Sequence, residues 1–456
     1  MGRLRHLKKS QKKKRNKANG KQPVRLIYFY VLKCLYQYMN DLTWEKIKSV
    51  LAFGIDNSHT SFYREKYKPF GFDKIDSFKS ADDFFKLPFL EKKELTKTPP
   101  FERLFLETSK EIRALSTSGT TGDEPLIIFR GSIPPPSHKE HLPKIYSKLR
   151  CGLFLTRPQN MVNHKQIKNI VRFFGNPYQM NETAALASSL GIDSIWTSPE
   201  LLIHFIPFLE KNYKLEKIKL LRFSSSKLSE HLLKIFHEKF PNAEFIQEYS
   251  LTEFGSVGIQ CAALAKKEEP AFHINQRKIF CEIQPAENDG GNGEIILTNL
   301  RKEPSLFIRY KTGDLGERIN EQCECGLEFP LIRLLDRKES DKLKIMGFEI
   351  RPSNFSDVLY DFQQLEKSFE VHFYQHIENY KLINDIIVKV QLKDRNTSLE
   401  FTKVILEEAL NEKFRISNRF KFADLIQQGF FSKIKIEIND NIEKGQTSGS
   451  KLISHF

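Results

Sequence analysis

Apolar and polar positions in this chain recur with two periods, and the places where one gives way to the other divide it. Across residues 44–100 the apolar positions follow helical spacing between short loops, ending at residues 87–95, where acids and bases suit an exposed face. Residues 111–115 and 126–129 have strand character, whereas 131–143, with Pro134-Pro135-Pro136, reads as an irregular connection. Residues 192–197 predict a strand before a helix starting near Ser198-Pro199, with proline at the first helical position. Residues 219–223 predict another strand, before a helix from 229 to about 240. Strand–helix alternation of this kind implies a parallel sheet covered by helices, with ligands bound where the strands end. Across 293–319 the pattern turns to short strands and turns, a β-rich subdomain. Beyond Arg337 a strand, a helix over 353–362, further strands and a helix over 398–414 suggest a compact α+β unit. No internal repeat is visible.

Length and composition fit that division. A chain of 456 residues exceeds one ordinary core, and 40% hydrophobic with 12% aromatic residues is ample to bury two or three. Six scattered cysteines (34, 151, 261, 281, 323 and 325) and the lack of a secretory leader point to the cytoplasm rather than a disulfide scaffold. The net charge of +15 suggests nucleic acid until it is divided, because ten of those charges lie within residues 1–21, which carry no acid. The expectation is a basic, self-repelling tail over 1–22, with nucleic acid an unfavoured partner. The aromatic stretch 24–36 is too short to span a bilayer and is broken by Arg25 and Lys33. Two readings stay open for it: a helix packed on the body, or a segment lying on the inner face of the membrane beside the basic tail.

The richest chemistry lies between the strands at 111–115 and 126–129, in Ser116-Thr117-Ser118-Gly119-Thr120-Thr121-Gly122. Glycines let backbone N–H groups turn inward and hydroxyls add donors, so a turn of this composition suits a polyphosphate. It is too short and too closely framed for a flexible linker, and it is not the GxxxxGK[ST] phosphate loop.

Four further segments follow: Glu248-Tyr249-Ser250-Leu251-Thr252-Glu253, Tyr310-Lys311-Thr312-Gly313-Asp314-Leu315, Asp336-Arg337 leading to Asp341-Lys342-Leu343-Lys344-Ile345-Met346-Gly347, and Thr447-Ser448-Gly449-Ser450-Lys451. In this order and at these distances they resemble the acyl-adenylate-forming superfamily, most of all phenylacetate-CoA ligases and their capsule-locus relatives, over roughly residues 50–456. The resemblance implies an α/β fold with a large N-terminal domain (23–336) of helix-covered mixed sheets and a small β-rich subdomain. A mobile α+β C-terminal lid (337–456) would follow. It implies an enzyme that uses ATP and Mg²⁺ to convert a small carboxylic acid into an acyl-adenylate, then hands the acyl group to CoA, a phosphopantetheine carrier protein or another acceptor. By the same resemblance the 116–122 turn grips the β- and γ-phosphates, Glu253 binds Mg²⁺, Tyr249 flanks adenine, and Thr252 lies near the α-phosphate. Asp314 accepts the ribose hydroxyls, Arg337 adds a ribose contact, and Lys344 and Lys451 supply cations to the reaction. The walls of the acid pocket would come from Trp196, Phe205, Phe223 and Phe245, unless these simply fill the core.

Several positions depart from the family pattern. Asp123-Glu124 follow the phosphate turn where a lysine is common. Ser250, Ser224-Ser225-Ser226 and Asp336 replace family glycines, and each adds a Cβ where backbone approaches nucleotide. Glu339, Ser340 and Asp341 compete as the lid hinge. These departures motivate an alternative, a catalytically weakened nucleotide-binding homologue acting at a membrane or with a partner protein. Cys323-Glu324-Cys325-Gly326, with Cys261 and His273 where the ligases place a cysteine and a histidine, suggests a structural zinc site, Cys281 being a rival ligand.

Overall fold

The computed structural model describes residues 39–456 apart from 107–110, 118–125, 132–143, 157–169, 227, 268–269, 286–291, 336–342, 346–347, 351, 379–380, 394–398, 418–419, 440–441, 443–450 and 456. The basic tail and the 24–36 stretch lie outside the described residues. No described helix is long and apolar enough to cross a membrane.

Among the described residues four helices lead: α1 (Asp41–Ile55), α2 (Phe62–Tyr67), α3 (Ala81–Phe85) and α4 (Lys92–Lys97). Asn40 caps α1 by accepting the Thr43 N–H at 2.8 Å, and Ser80 with Asp83 forms a capping box on α3. A hairpin of β1 (Ile112–Ser116) and β2 (Ile127–Gly131) comes next.

The parallel region runs β3 (Cys151–Leu155), β4 (Val171–Gly175), α5 (Met180–Leu190), β5 (Ser194–Thr197), α6 (Pro199–Leu209), β6 (Leu220–Phe223) and α7 (Glu230–Lys239). Ser198 caps α6 and Ser229 caps α7, each accepting a backbone N–H three residues on, so both helices start where the chain signals it. β7 (Glu244–Leu251) is the pivot of the molecule. Its residues 244–247 pair in parallel with β6, while 248–251 pair antiparallel with β8 (Gly255–Ile259), with a register shift between Tyr249 and Ser250. After α8 (Ala262–Lys266), strands β9 (Ala271–Ile274), β10 (Ile279–Pro285), β11 (Gly293–Asn299), β12 (Tyr310–Ile319) and β13 (Leu331–Leu335) complete an 11-stranded mixed sheet. Its order is β10-β11-β12-β13-β9-β8-β7-β6-β5-β3-β4.

The C-terminal residues build their own layers. A β14 (Leu343–Ile345) and β15 (Phe348–Ile350) hairpin precedes α9 (Pro352–Leu359), β16 (Leu365–Glu378) and β17 (Lys381–Leu392). Then come α10 (Leu399–Lys413), β18 (Arg415–Ser417), β19 (Phe420–Lys421), α11 (Phe422–Gln427), β20 (Lys435–Ile438) and β21 (Lys451–His455). β20-β17-β16-β21 form a four-stranded sheet over a core that includes Phe355, Phe369, Leu406, Phe414 and Ile436. Leu201 of α6 packs against this core and against that of the parallel region.

The aromatic residues expected as pocket walls divide between the two faces of the parallel strands. Phe205, on α6, and Phe223, on β6, are fully buried in the cluster these strands share with α5–α7, and Phe245 packs on it, so these three are core. Trp196 sits on the opposite face with Tyr146 and Phe154, and the Arg222 guanidinium lies 4.8 Å from its ring centroid. Arg222 is itself paired with Glu248 at 2.7 Å.

One buried cation organises the opposite end of the sheet. Arg309, at φ 52°, pairs with Glu282 through Nε at 3.2 Å and Nη2 at 2.9 Å. Its Nη1 donates to the carbonyls of Phe85 (2.7 Å) and Leu87 (2.6 Å). Leu90 N–H donates to the Arg309 carbonyl at 2.9 Å, so the 85–90 segment is sewn onto the sheet beside Tyr310.

Candidate functional site

The base of the 116–122 turn is fixed by Thr117, which is buried. Its N–H donates to the Leu126 carbonyl at 3.0 Å, and its Oγ1 accepts the Leu126 N–H at 3.0 Å. Ser116 closes β1 opposite Ile127. The hairpin therefore holds the two ends of the turn together; Ser118, Gly119, Thr120, Thr121 and Gly122, with Asp123 and Glu124, lie outside the described residues.

Where β7 exchanges a parallel partner for an antiparallel one, the chain presents Tyr249, and Glu253 follows it in the turn to β8. Across the sheet, β12 carries two more residues than β11 between Glu294 and Ile296, which makes Thr312-Gly313-Asp314 protrude. Gly313 sits at φ 72°, a left-handed conformation that costs glycine nothing, and its N–H donates to Glu294 Oε1 at 3.1 Å. Thr312 Oγ1 accepts the Asp314 N–H at 3.0 Å. The two irregularities meet: Tyr249 Oη donates to Asp314 Oδ2 at 3.0 Å, and Tyr310 Oη donates to Glu253 Oε1 at 2.9 Å. Burial first, and then the Asp314 charge, pushes the Tyr249 phenol well above its usual range, so it remains a donor. β7, the turn after it and β12 thus contribute two hydrogen-bonded pairs, Tyr249 with Asp314 and Tyr310 with Glu253. Thr252 neighbours Glu253, and its carbonyl faces inward.

Two half-buried cations beside these pairs are not singled out by the sequence. Arg130, on β2, donates from Nη2 to the Thr252 carbonyl at 3.0 Å. Lys278 donates to the Phe254 carbonyl. Together they grip the turn on either side of Glu253. Gly255, at φ 67°, closes that turn, and a Cβ there would stand 3.7 Å from both cationic nitrogens. Burial, then the neighbouring Arg130, pulls the Lys278 ammonium down to about 7. Isolated cations in long sequences carry no local signal, whereas Tyr310 was visible inside the Tyr310–Leu315 segment.

Other site residues expected from the sequence are placed through their backbone. Lys344 is the central residue of β14, opposite Glu349, and Lys451 opens β21, opposite Glu370. Arg337, Glu339, Ser340 and Asp341 lie outside the described residues. Of the serines that replace family glycines, Ser225 occupies a left-handed conformation, φ 80°, and Ser250 does not. Ser225→Gly should therefore relieve strain and stabilise the fold by about 0.5–1 kcal/mol, while Ser250→Gly, within a strand, should destabilise it by a similar amount. Urea midpoints at unchanged m would measure both, and equal effects from the two would remove this distinction.

A second constellation lies on the far side of β9. Cys261 caps α8, His273 sits on β9, and Cys323 and Cys325 flank the turn closed by Gly326 at φ 74°. Their four ligand atoms all lie within 4.8 Å of one another. Cys261 Sγ is 3.5 Å from Cys323 Sγ, and Cys325 Sγ is 3.3 Å from His273 Nε2. Burial pushes the Cys261 thiol up to about 12. Cys281 is buried elsewhere, with its Sγ 3.8 Å from the Glu282 carbonyl, and is not in this group.

No family model matches the chain. Phenylacetate-coenzyme A ligase of Escherichia coli (strain K12) is 22% identical over 386 residues, covering 78% of this chain and 83% of the relative. The enzyme of the same name from Pseudomonas putida is 21% identical over 354 residues, covering 73% and 78%. Among solved structures, 2-hydroxyisobutyryl-CoA ligase in complex with 2-HIB-AMP and CoA in its thioesterification state superposes with a TM-score of 0.62 at 14% identity, covering 91% of this chain and 89% of that one. The o-succinylbenzoate CoA synthetase of Bacillus subtilis, bound to a product analogue, gives a TM-score of 0.50 at 14% identity over 76% of this chain and 69% of that one.

Proposed function

We propose, taking the chain as a phenylacetate-CoA ligase-like member of the acyl-adenylate-forming superfamily, that it activates a carboxylic acid with ATP and passes the acyl group to a thiol. The observation that carries this reading is the joining of Tyr249 to Asp314 and of Tyr310 to Glu253 at the pivot of the sheet. In the first half-reaction a carboxylate oxygen attacks the α-phosphorus and the bond to the bridging oxygen breaks, releasing pyrophosphate. In the second, a thiolate attacks the acyl carbon and AMP leaves. Asp314, aimed by Tyr249, accepts the ribose hydroxyls. The 116–122 turn donates to the departing phosphates, and Arg337 adds a ribose contact. Lys451 offsets negative charge as one anion meets another, and Lys344 serves the same centre from β14.

Glu253 fits a hard cation: it is a carboxylate, oriented through Oε1 by Tyr310, which leaves Oε2 for a metal. A Mg²⁺ held by Glu253 would neutralise the charge gathering on pyrophosphate. Residues 337–456 act in this reading as a lid that moves between the half-reactions. The acyl acceptor we favour is CoA, with a phosphopantetheine carrier protein as its rival. ATP–pyrophosphate exchange across a panel of arylacetic and short-chain acids tests the whole. Exchange that requires Lys451 supports it; nucleotide binding without exchange for any acid supports the weakened homologue, which the left-handed Ser225 favours. Deleting residues 1–21 and following partition onto anionic vesicles tests membrane contact through the tail, and unchanged partition dismisses it.

The Cys261–His273–Cys323–Cys325 group fits zinc in donor type and spacing. A zinc–sulfur distance of about 2.3 Å separates tetrahedral ligand atoms by about 3.8 Å, and four protein donors leave no open position. Its role is therefore structural. Chelation is expected to release stoichiometric zinc and lower the thermal midpoint by about 5–10 °C. Purified protein without zinc by metal analysis would end this assignment.

A further inference from the structure

The C-terminal sheet carries a line of titratable side chains that the nucleotide site does not use. Glu370, His372 and Tyr374 alternate along β16 and so share one face. β21 runs parallel to β16 at the edge of the sheet, with Lys451 opposite Glu370, Ile453 opposite His372 and His455 opposite Tyr374. His372 is buried between two partners. Its Nε2 lies 2.9 Å from Glu370 Oε2, and its Nδ1 lies 2.9 Å from His455 Nε2. The His455 ring stacks on Tyr374 with centroids 4.4 Å apart and 5° between planes.

This geometry restricts the protons. With His372 Nε2–H donating to the Glu370 carboxylate, the bond between the two imidazoles needs one hydrogen. Either neutral His455 donates to neutral His372, or the His372 imidazolium donates to neutral His455. A proton on both rings sets two N–H groups head to head and two like charges 5.3 Å apart, centroid to centroid. Among the described side chains, the other charged groups nearby are Lys389, which β17 places opposite Glu370, and Glu437 of β20, 3.7 Å from it; β21 places the backbone of Lys451 opposite Glu370. Beyond Tyr374, His376 and Asp385 are 3.4 Å apart, and on β17 the residue opposite His372 is Ile387.

We propose that Glu370, His372 and His455 form a one-proton latch that holds β21, and with it the backbone of Lys451, on the edge of the C-terminal sheet. His372 is thereby a positioning residue for Lys451, and acid opens the latch. Only the consequence for catalysis rests on the proposed function; the latch rests on the contacts alone. Partial desolvation, then His372 and Lys389, holds His455 below its usual range. A histidine whose folded value is depressed is protonated more readily when released. The latch is thus at full strength above the ordinary histidine value of about 6.5 and weakens as pH falls below it.

Hydrogen–deuterium exchange of the peptide covering β21, corrected for intrinsic rates, tests this without any acid substrate. In the wild type, protection should fall about ten-fold between about pH 8 and about pH 5.5, while β16 and β17 stay protected. His455→Gln, whose amide can still donate to His372, should keep protection at the higher pH and lose most of the acid response. His372→Phe should expose the β21 peptide at both. A β21 peptide equally protected at both pH values and indifferent to His372→Phe would overturn the latch. The two levels separate cleanly. If Lys451→Ala leaves ATP–pyrophosphate exchange intact while β21 still responds to His372, the latch stands and the role of Lys451 falls. If exchange needs Lys451 but β21 protection ignores His372 and pH, the latch falls alone.

Discussion

Glu253→Gln is expected to lower ATP–pyrophosphate exchange by on the order of 10²–10³-fold, about 2.7–4 kcal/mol of transition-state stabilisation. Glutamine keeps an acceptor for the Tyr310 hydroxyl, now at 2.9 Å from Oε1, so the Thr252–Gly255 turn should hold its shape between Arg130 and Lys278. What disappears is the anionic oxygen that would carry a cation against the phosphates. The loss should therefore fall on turnover and on the Mg²⁺ concentration needed for half-maximal exchange, with the thermal midpoint within a few degrees of wild type. A variant that exchanges at the wild-type rate with an unchanged Mg²⁺ requirement would remove Glu253 from the metal site and leave the nucleotide reading to Asp314 and the phosphate turn.

What could be read in the chain, and what could not, follows the range of the interactions involved. The strands at β5 and β6 and the helices α6 and α7 were legible within a residue or two, because a capping serine and an apolar period are local facts. The cluster of Cys261, His273, Cys323 and Cys325 was legible through its donor types and the likeness to ligases, although 62 residues separate Cys261 from Cys323. The pivot in β7 was not, since nothing in residues 244–251 reveals which neighbour is parallel. Nor could Phe223, on β6, and Phe205, on α6, be told from pocket walls, because which face of a strand or helix meets the core is settled by packing. Arg130 reaches Thr252 across 122 residues, and Arg309 reaches Phe85 across 224. Such contacts leave no periodic trace, and the serines at 224–226 hid the fact that one of them alone keeps a glycine-like backbone.

Arg309→Met is expected to be the most damaging change to the fold, destabilising it by about 3–5 kcal/mol. The side chain is 5% exposed and its partner Glu282 2%. Burial lifts the Glu282 carboxyl above its ordinary range even as Arg309 opposes that rise. Removing the guanidinium strands a charge in the interior and leaves the Phe85 and Leu87 carbonyls without their donor. Arg309→Lys should recover little, because a single ammonium cannot span two carboxylate oxygens and two carbonyls at once. The double variant Arg309→Met/Glu282→Leu should be more stable than Arg309→Met by about 1–3 kcal/mol, since it also discards the orphaned charge. Urea unfolding followed by tryptophan fluorescence and by far-ultraviolet circular dichroism would measure all three. Single and double variants that melt together with the wild type would mean that the ion pair is not what ties the 85–90 segment to the sheet, and Leu90 pairing with Arg309 and Tyr310 through the backbone would have to hold it alone.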